Sequence, residues 1–343
     1  MTHDPMTLPL AQAAVDDLQR AHRDLLRVVD ALSDADWERP VPYGEWSVKD
    51  LIAHVIGDMS PSGPGLIHAR VLTPEFIAAT SSSFDVRARN AAMVEERRRL
   101  TREDLRQMLF EAHDAMIEAA LRLDETNVPV LAYAVPMGPE YDLRVEDWLW
   151  HGYHDRQHAD DIRRALEVDY QPQELSFLPQ IEERFRLMFR YHEGFLRAVY
   201  SVADDAWDEA AFAGGWTYGN ILAHVAANDL RPQTRLRAIL GEGDEAEMRA
   251  ILQTDAWNQA RVDERRGRPV RQLVDELATN RYQTLKLLAR MRPEHLAATI
   301  SFASGEKVSL PDYVEHIGRH ESIHAGQLVP ASRARRFAAR QET

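Results

Sequence analysis

The chain repeats itself, and the length of the repeat limits what it can fold into. Shifted by 170 residues, "HRDLLRVVDALSDADW" (His22 to Trp37) falls on "HEGFLRAVYSVADDAW" (His192 to Trp207). At the same shift "EWSVKDLIAHV" falls on "GWTYGNILAHV", which pairs Trp46 with Trp216 and His54 with His224. At 168, "NAAMVEERR" from Asn90 meets "NQARVDERR" from Asn258; at 166, "HDRQHADDI" from His154 meets "HESIHAGQL" from His320. The drift reflects small loop deletions. A unit of about 170 residues is a whole domain, far longer than a solenoid repeat. The expected organisation is two copies, residues 1–172 and 173–343, joined near "EVDYQPQELSFLPQ", where Pro172 and Pro179 flank the junction.

Each copy reads as four helices. In the first copy, helix one is expected over roughly residues 8–32, with Leu18, Leu25, Leu26 and Val29 on one stripe. Helix two begins after Ser47, a natural N-cap, and Thr217 plays that part in the second copy. The Pro- and Gly-rich "SPSGPGLIHARVLTPEF" marks a loop. One long helix three is expected over about 86–123 and helix four over about 144–167. Before helix four, "VPVLAYAVPMGPEYDLR" and its counterpart "ATISFASGEKVSL" read as short β-hairpins, the second turning at Ser304-Gly305. The expected class is all-α, two tandem four-helix bundles with one long crossover each.

Composition excludes several functions. The chain has no cysteine, so disulfides, Cys-ligated metals, iron–sulfur clusters and a Cys nucleophile are ruled out. A formal net charge of −14 argues against nucleic-acid or anionic-membrane partners. No run approaches the 18 or more apolar residues of a membrane span, and "MTHDPMTLPL" has no signal-peptide pattern. The expected location is the cytoplasm.

The histidines carry the chemistry. "HESIH" matches H-E-x-x-H, the zinc-protease signature. Its counterpart "HDRQH" has Asp155 in place of the glutamate, no metzincin continuation follows, and only 19 residues remain after His324. A protease is therefore disfavoured. With 14 histidines in 343 residues, about 0.6 HxxxH pairs arise by chance. Two in corresponding places of a duplicated domain mean more. Residues i and i+4 share a helix face, so His154 with His158, and His320 with His324, can each bite one metal. The third ligand must come from elsewhere, and His54 and His224, each within an apolar helix, are the candidates. Asp155 and Glu321 follow the first histidine of each pair. Each is a candidate general base or ligand-orienting group, with a solvated helix-face carboxylate as the alternative. His22 and His192 correspond on helix one and read as packing or hydrogen-bonding groups. His113 and His295 have no histidine partner in the other copy and suggest no role, and Trp46 and Trp216 read as packing anchors.

The pairing of "WSVKDLIAHV" with "HDRQHADDI", and of "WTYGNILAHV" with "HESIHAGQL", resembles the DinB-like superfamily. That superfamily includes mycothiol-dependent maleylpyruvate isomerases and bacillithiol-type thiol transferases. The resemblance spans nearly the whole chain as two tandem copies. It implies a four-helix bundle holding a divalent metal by one residue of helix two and two of helix four: His54, His154 and His158, then His224, His320 and His324. Zinc is the first expectation, with nickel, iron or manganese as alternatives. The implied activity is metal-dependent and acts on a small molecule, as a transferase or isomerase with a low-molecular-weight thiol cosubstrate. A non-catalytic metal-containing binding or sequestering protein is the main alternative and a metal-dependent hydrolase a minor one. Relatives with single domains often pair, so the two copies are expected to form an intramolecular pseudo-dimer.

Overall fold

A computed structural model of the chain describes residues 9–41, 46–59, 86–121, 131–133, 143–144, 152–168, 175–211 and 215–341. The chain divides into two compact units, Met1–Pro172 with Arg336–Thr343, and Gln173–Arg335. The class is all-α, and the strands among the described residues form two short hairpins.

In the first unit, α1 (Pro9–Asp30) is followed by a 3-10 turn (Asp36–Glu38), α2 (Val48–Met59), α3 (Val86–Arg97), α4 (Arg102–Leu121), β1 (Leu131–Tyr133), β2 (Leu143–Arg144) and α5 (Gly152–Glu167). α1 buries Leu18, Leu25 and Val29 against α4 and α5. α2 packs on α3, α4 and α5, and from Leu51 to Met59 every residue is buried, including His54 and Asp58. A helix apolar on all sides belongs in the middle of a bundle, and this one carries its few polar groups inward with it. Its start is fixed by a reciprocal cap: the Asp50 N–H donates to Ser47 Oγ, and the Ser47 N–H donates to Asp50 Oδ2, each at 3.2 Å.

Two expectations change. The long helix three is two helices, because Thr101 starts a new one. Thr101 Oγ1 accepts the Asp104 N–H at 3.1 Å, and Asp104 Oδ2 accepts the Thr101 N–H at 3.0 Å. This capping box satisfies donors that a continuous helix would bond to the preceding turn. Helix four does not start at 144, since Leu143 and Arg144 pair antiparallel with β1; the described helix starts at Gly152. The Pro- and Gly-rich segment after α2 lies outside the described residues.

The second unit holds α6 (Pro179–Ser201), α7 (Tyr218–Asn228), α8 (Leu230–Ile239), α9 (Glu245–Leu252), α10 (Thr254–Asp263), α11 (Val270–Ala289), β3 (Thr299–Ser301), β4 (Lys307–Ser309) and α12 (Leu310–Gln341). The helix-three equivalent is again split, here between α10 and α11, where Gly267 takes a positive φ of 74° and Pro269 follows. The hairpin turn uses Gly305 at φ 88°. Thr217 caps α7 by accepting the Asn220 N–H at 3.2 Å. Among the described residues no helix is long and apolar enough to cross a membrane.

The repeat persists in backbone hydrogen bonds. Pro40 bridges Ser47, and Ala210 bridges Thr217. Val41 donates to Trp46 O and Ala211 to Trp216 O, both at 3.0 Å. These bonds fix the chain entering α2 and α7, and with it the tryptophan before each cap.

α6 and α12 touch closely at Gly318. A Cβ there would lie 2.6 Å from Met188 Cα and 2.8 Å from its carbonyl oxygen, whereas one at Gly326 on the same helix meets nothing within 4 Å. Gly318→Ala should therefore destabilise the protein by about 1–3 kcal/mol. Gly326→Ala should be neutral or stabilising by up to about 1 kcal/mol, through helix propensity. Calorimetric melting of the two variants checks the pair.

Candidate metal centres

In the first unit, α2 delivers His54 and α5 delivers His154 and His158, one helical turn apart. His154 Nε2 sits 3.2 Å from His54 Nε2 and 3.1 Å from His158 Nε2. The second unit repeats this: His320 Nε2 lies 3.1 Å from His224 Nε2 and 3.2 Å from His324 Nε2. The six residues named from the sequence thus form two clusters, with all ligand atoms of each within 4.8 Å of one another.

These separations suit a shared cation. Two nitrogens on one tetrahedral ion at 2.0–2.1 Å stand about 3.3 Å apart. Three converging Nε2 atoms cannot all carry hydrogens at such distances, so at least one lone pair in each set faces inward. The outer contacts agree. His158 Nδ1 donates to Asp161 Oδ2 at 3.0 Å, and His324 Nδ1 donates to Gln327 Oε1 at 2.7 Å. Both partners lie three residues beyond their histidine, on the same helix face. His320 Nδ1 is 3.3 Å from the Asn228 amide, whose oxygen accepts the N–H when the amide is turned. Such outer bonds fix the tautomer and aim the ring of a ligating histidine. The Trp46 ring stands 5.0 Å from the His54 ring, and the Trp216 ring 5.0 Å from that of His224. The packing anchors thus pack on the candidate ligands themselves.

The polar surroundings of the two clusters differ. Asp58 and Asp161 flank the first, with Asp58 Oδ2 at 3.8 Å from His154 Nε2. Amides, Asn228 and Gln327, stand at the matching positions of the second. Asp161 also accepts from Arg164 at 2.6 Å. Burial resists the Asp161 charge, but His158 and Arg164 outweigh it and hold the carboxyl below its ordinary value. In the second cluster burial, aided by the neighbouring His324 and Arg231, pushes His224 down to about 3. Burial drives His320 well below its usual value too, and lowers His324. These rings are neutral at pH 7, the form that binds a metal.

Asp155 and Glu321 are 0% and 2% exposed, so neither is a solvated helix-face carboxylate. Asp155 Oδ2 lies 3.7 Å from His22 Nδ1 on α1. Glu321 accepts from His192 Nδ1 at 3.2 Å and from Arg281 Nη2 at 2.8 Å, and Arg281 also bonds Asp229. Sequence reasoning missed the part played by the helix-three residues. At the shift of 168, His113 corresponds to Arg281, and looking only for a matching histidine hid that relation. His151 lies outside the described residues. His316 is exposed and packs on Phe302, with ring centroids 4.6 Å apart.

Residues 18–163 match the model of the mycothiol maleylpyruvate isomerase N-terminal domain, and residues 191–328 match that of the DinB superfamily. The chain is a tandem of DinB-like domains. No curated protein and no solved structure matches the chain.

The low histidine values set a pH dependence for the metal-free protein. Below about 6.5 an unfolded histidine takes a proton. The folded second unit refuses it down to about 3 at His224. Stability from these rings is therefore complete above about pH 6.5 and falls as pH drops toward 3, by up to about 1.4 kcal/mol per pH unit for each group. Melting of chelator-treated protein should show this decline, and His224→Leu should make it shallower.

Proposed function

We propose that the protein is a divalent-metal-dependent enzyme acting on a small molecule, as a thiol-dependent transferase or isomerase. The observation that carries the reading is the convergence of three imidazoles through their Nε2 atoms, twice, with His158 and His324 each held by an outer hydrogen bond. The family match of the first domain supports a thiol-related reaction. The chain has no cysteine, so the thiol comes from outside.

Three histidines would hold the metal in each unit and leave coordination positions for a substrate or cosubstrate, as catalytic sites require. A bound divalent ion supplies Lewis acidity and stabilises a thiolate at neutral pH. Zinc suits the imidazole set, and nickel or iron fits the same donors. The other work falls to the chain. Asp161 and Gln327 keep the Nδ1 protons of His158 and His324 in place, so their Nε2 lone pairs stay inward. Trp46 and Trp216 cover one side of His54 and His224. Asp155 and Glu321 lie buried against α1 and α6, and serve here by positioning α5 and α12 rather than by reaching substrate. This reading places the protein in the cytoplasm, where small thiols are kept reduced.

The burial of those two carboxylates also favours a second reading, a metal-holding protein that binds its small molecule without turning it over. The two are separated by assay. Metal-loaded protein is given a low-molecular-weight thiol with electrophilic acceptors, and thiol consumption is followed. Turnover that disappears in His158→Ala or His324→Ala supports the enzyme. Full metal with no turnover on any pair assigns the binding reading.

Metal content gives a further check. His158→Ala should cost one bound equivalent and His324→Ala another. Asp161→Ala should weaken the first centre by about 10–100-fold and Gln327→Ala the second, as loss of an outer partner does. Competition with a zinc-sensitive dye reads each change.

A further inference from the structure

Two arginines of the second unit stand beside its histidine set with no carboxylate bonded to them. α8 follows α7 with only Asp229 between, and that residue keeps a helical backbone at φ −63° and ψ −13°. His224, Asn228, Arg231 and Arg235 therefore recur along one face, at steps of four, three and four. On α12, Tyr313, His316, His320 and His324 recur at steps of three, four and four. The two stripes meet. His224 Nε2 is 3.1 Å from His320 Nε2, the Asn228 amide is 3.3 Å from His320 Nδ1, and Arg235 Nη1 donates to the Tyr313 hydroxyl at 3.0 Å. The candidate metal centre thus continues into a pair of guanidinium groups.

Neither guanidinium forms an ion pair with a carboxylate of the described residues. Arg231 donates to the Thr254 carbonyl at 3.3 Å and lies over Trp257, 4.5 Å from the ring centroid. Arg235 is 7% exposed and lies 5.4 Å from the ring centroids of Phe302 and Tyr313. The Nε atoms of both arginines are buried and lack a hydrogen-bond partner. Neighbouring arginines are paired: Arg261, also beside Trp257, meets Glu264 at 2.9 Å, and Arg281 bonds Asp229 and Glu321. Burial, with the charge of Arg235, pushes Arg231 down to about 10 against the pull of Tyr313 and Asp255, so it stays a cation at pH 7. Its charge in turn helps to lower His224 and His320. Buried charges are normally paired, and two like charges side by side with unused donors suit an anion. Arg231 is half-buried and His316 is exposed, so the stripe reaches solvent here. The first copy has no basic residue at these places: at the shift of 170, positions 231 and 235 fall on Pro61 and Gly65, within "SPSGPG".

We propose that Arg231 and Arg235 form an oxyanion subsite beside the histidine set of the second unit, and that the small molecule taken by this domain carries a carboxylate or phosphate group. That this molecule is a substrate rests on the function proposed above; that the subsite holds an oxyanion does not. A guanidinium edge offers parallel N–H donors that match two oxygens of either group, and such charge-assisted bonds are about twice as strong as neutral ones. The anionic end of the ligand would lie on the arginines and its other end toward His224 and His320.

The test uses the full chain. Chelator-treated protein is titrated with inorganic phosphate and with succinate, and calorimetry reads the binding; the tighter probe names the group. Arg231→Gln and Arg235→Gln should each weaken that probe by about 10–100-fold, the range for a hydrogen bond to a charged group. Arg237→Gln, at an exposed position of α8, removes the same charge and should leave the affinity unchanged. If Arg235→Gln fails to fold for want of its Tyr313 bond, Arg231→Gln carries the comparison. In a second arm, zinc-loaded His158→Ala protein, with its metal in the second unit, is given 3-mercaptopropionate or 2-mercaptoethanol. The charged thiol should bind about 10-fold tighter or more, an advantage that Arg231→Gln abolishes. Absence of binding by both anions, or equal weakening by Arg231→Gln and Arg237→Gln, would overturn the proposal and leave the arginines as packing partners of Trp257, Phe302 and Tyr313. A charged thiol that binds no tighter than the neutral one would overturn the link between subsite and metal. A His158→Ala protein that takes up no zinc would defeat the metal-dependent function instead, and the metal-free titration would still decide the subsite.

Discussion

Everything else in each unit is arranged around an unfavourable act, the removal of imidazoles from water to face one another. Two Nε2 atoms within 3.1–3.2 Å of a third repel it when their lone pairs all face inward, unless something positive lies between them. The bundle sets that inward direction for His158 and His324 through Asp161 and Gln327. It enforces the geometry by burying α2 on nearly every side, so that His54 has no alternative to facing α5. Burial also keeps the second cluster neutral, with His224 at about 3. The same desolvation that costs stability in acid prepares the rings for a metal.

The carboxylates beside the clusters do a different job. Asp155 and Glu321 directly follow a candidate ligand, yet about 100° of helix rotation per residue turns them toward α1 and α6 instead. Each unit thus uses one helix for two purposes, histidines on one face and an inward charge on the next. In the second unit that charge bonds helix one directly, through His192.

Much of this was legible in the residues. Two aligned HxxxH pairs and two aligned histidines in apolar helices are enough to assemble both clusters, because i,i+4 spacing and helix burial are local facts. Ser47 and Thr217 announced the starts of α2 and α7 in the same way. The break before Thr101 was equally local, a T-x-x-D box inside the span expected as one helix. His113 was hidden for a stronger reason. Its partner in the other copy is an arginine, and its significance depends on α1, α4 and α5 meeting at one point, which is a tertiary fact. The polar contrast between the two clusters, Asp58 and Asp161 against Asn228 and Gln327, stands at aligned positions, yet it gained meaning only once those side chains were seen beside the rings.

That contrast makes the chain its own control. Two histidine sets of the same geometry sit in one polypeptide, at equal concentration, in one buffer and at one temperature. Near them two carboxylates are exchanged for two amides and the arginines shift as well, Arg164 beside the first set and Arg231 beside the second, so a gap between the centres in metal preference or exchange rate reports on the charge around them. Pairs of separate proteins rarely permit that comparison, because everything else changes as well. Here gene duplication has carried out the substitution and kept the reference beside it.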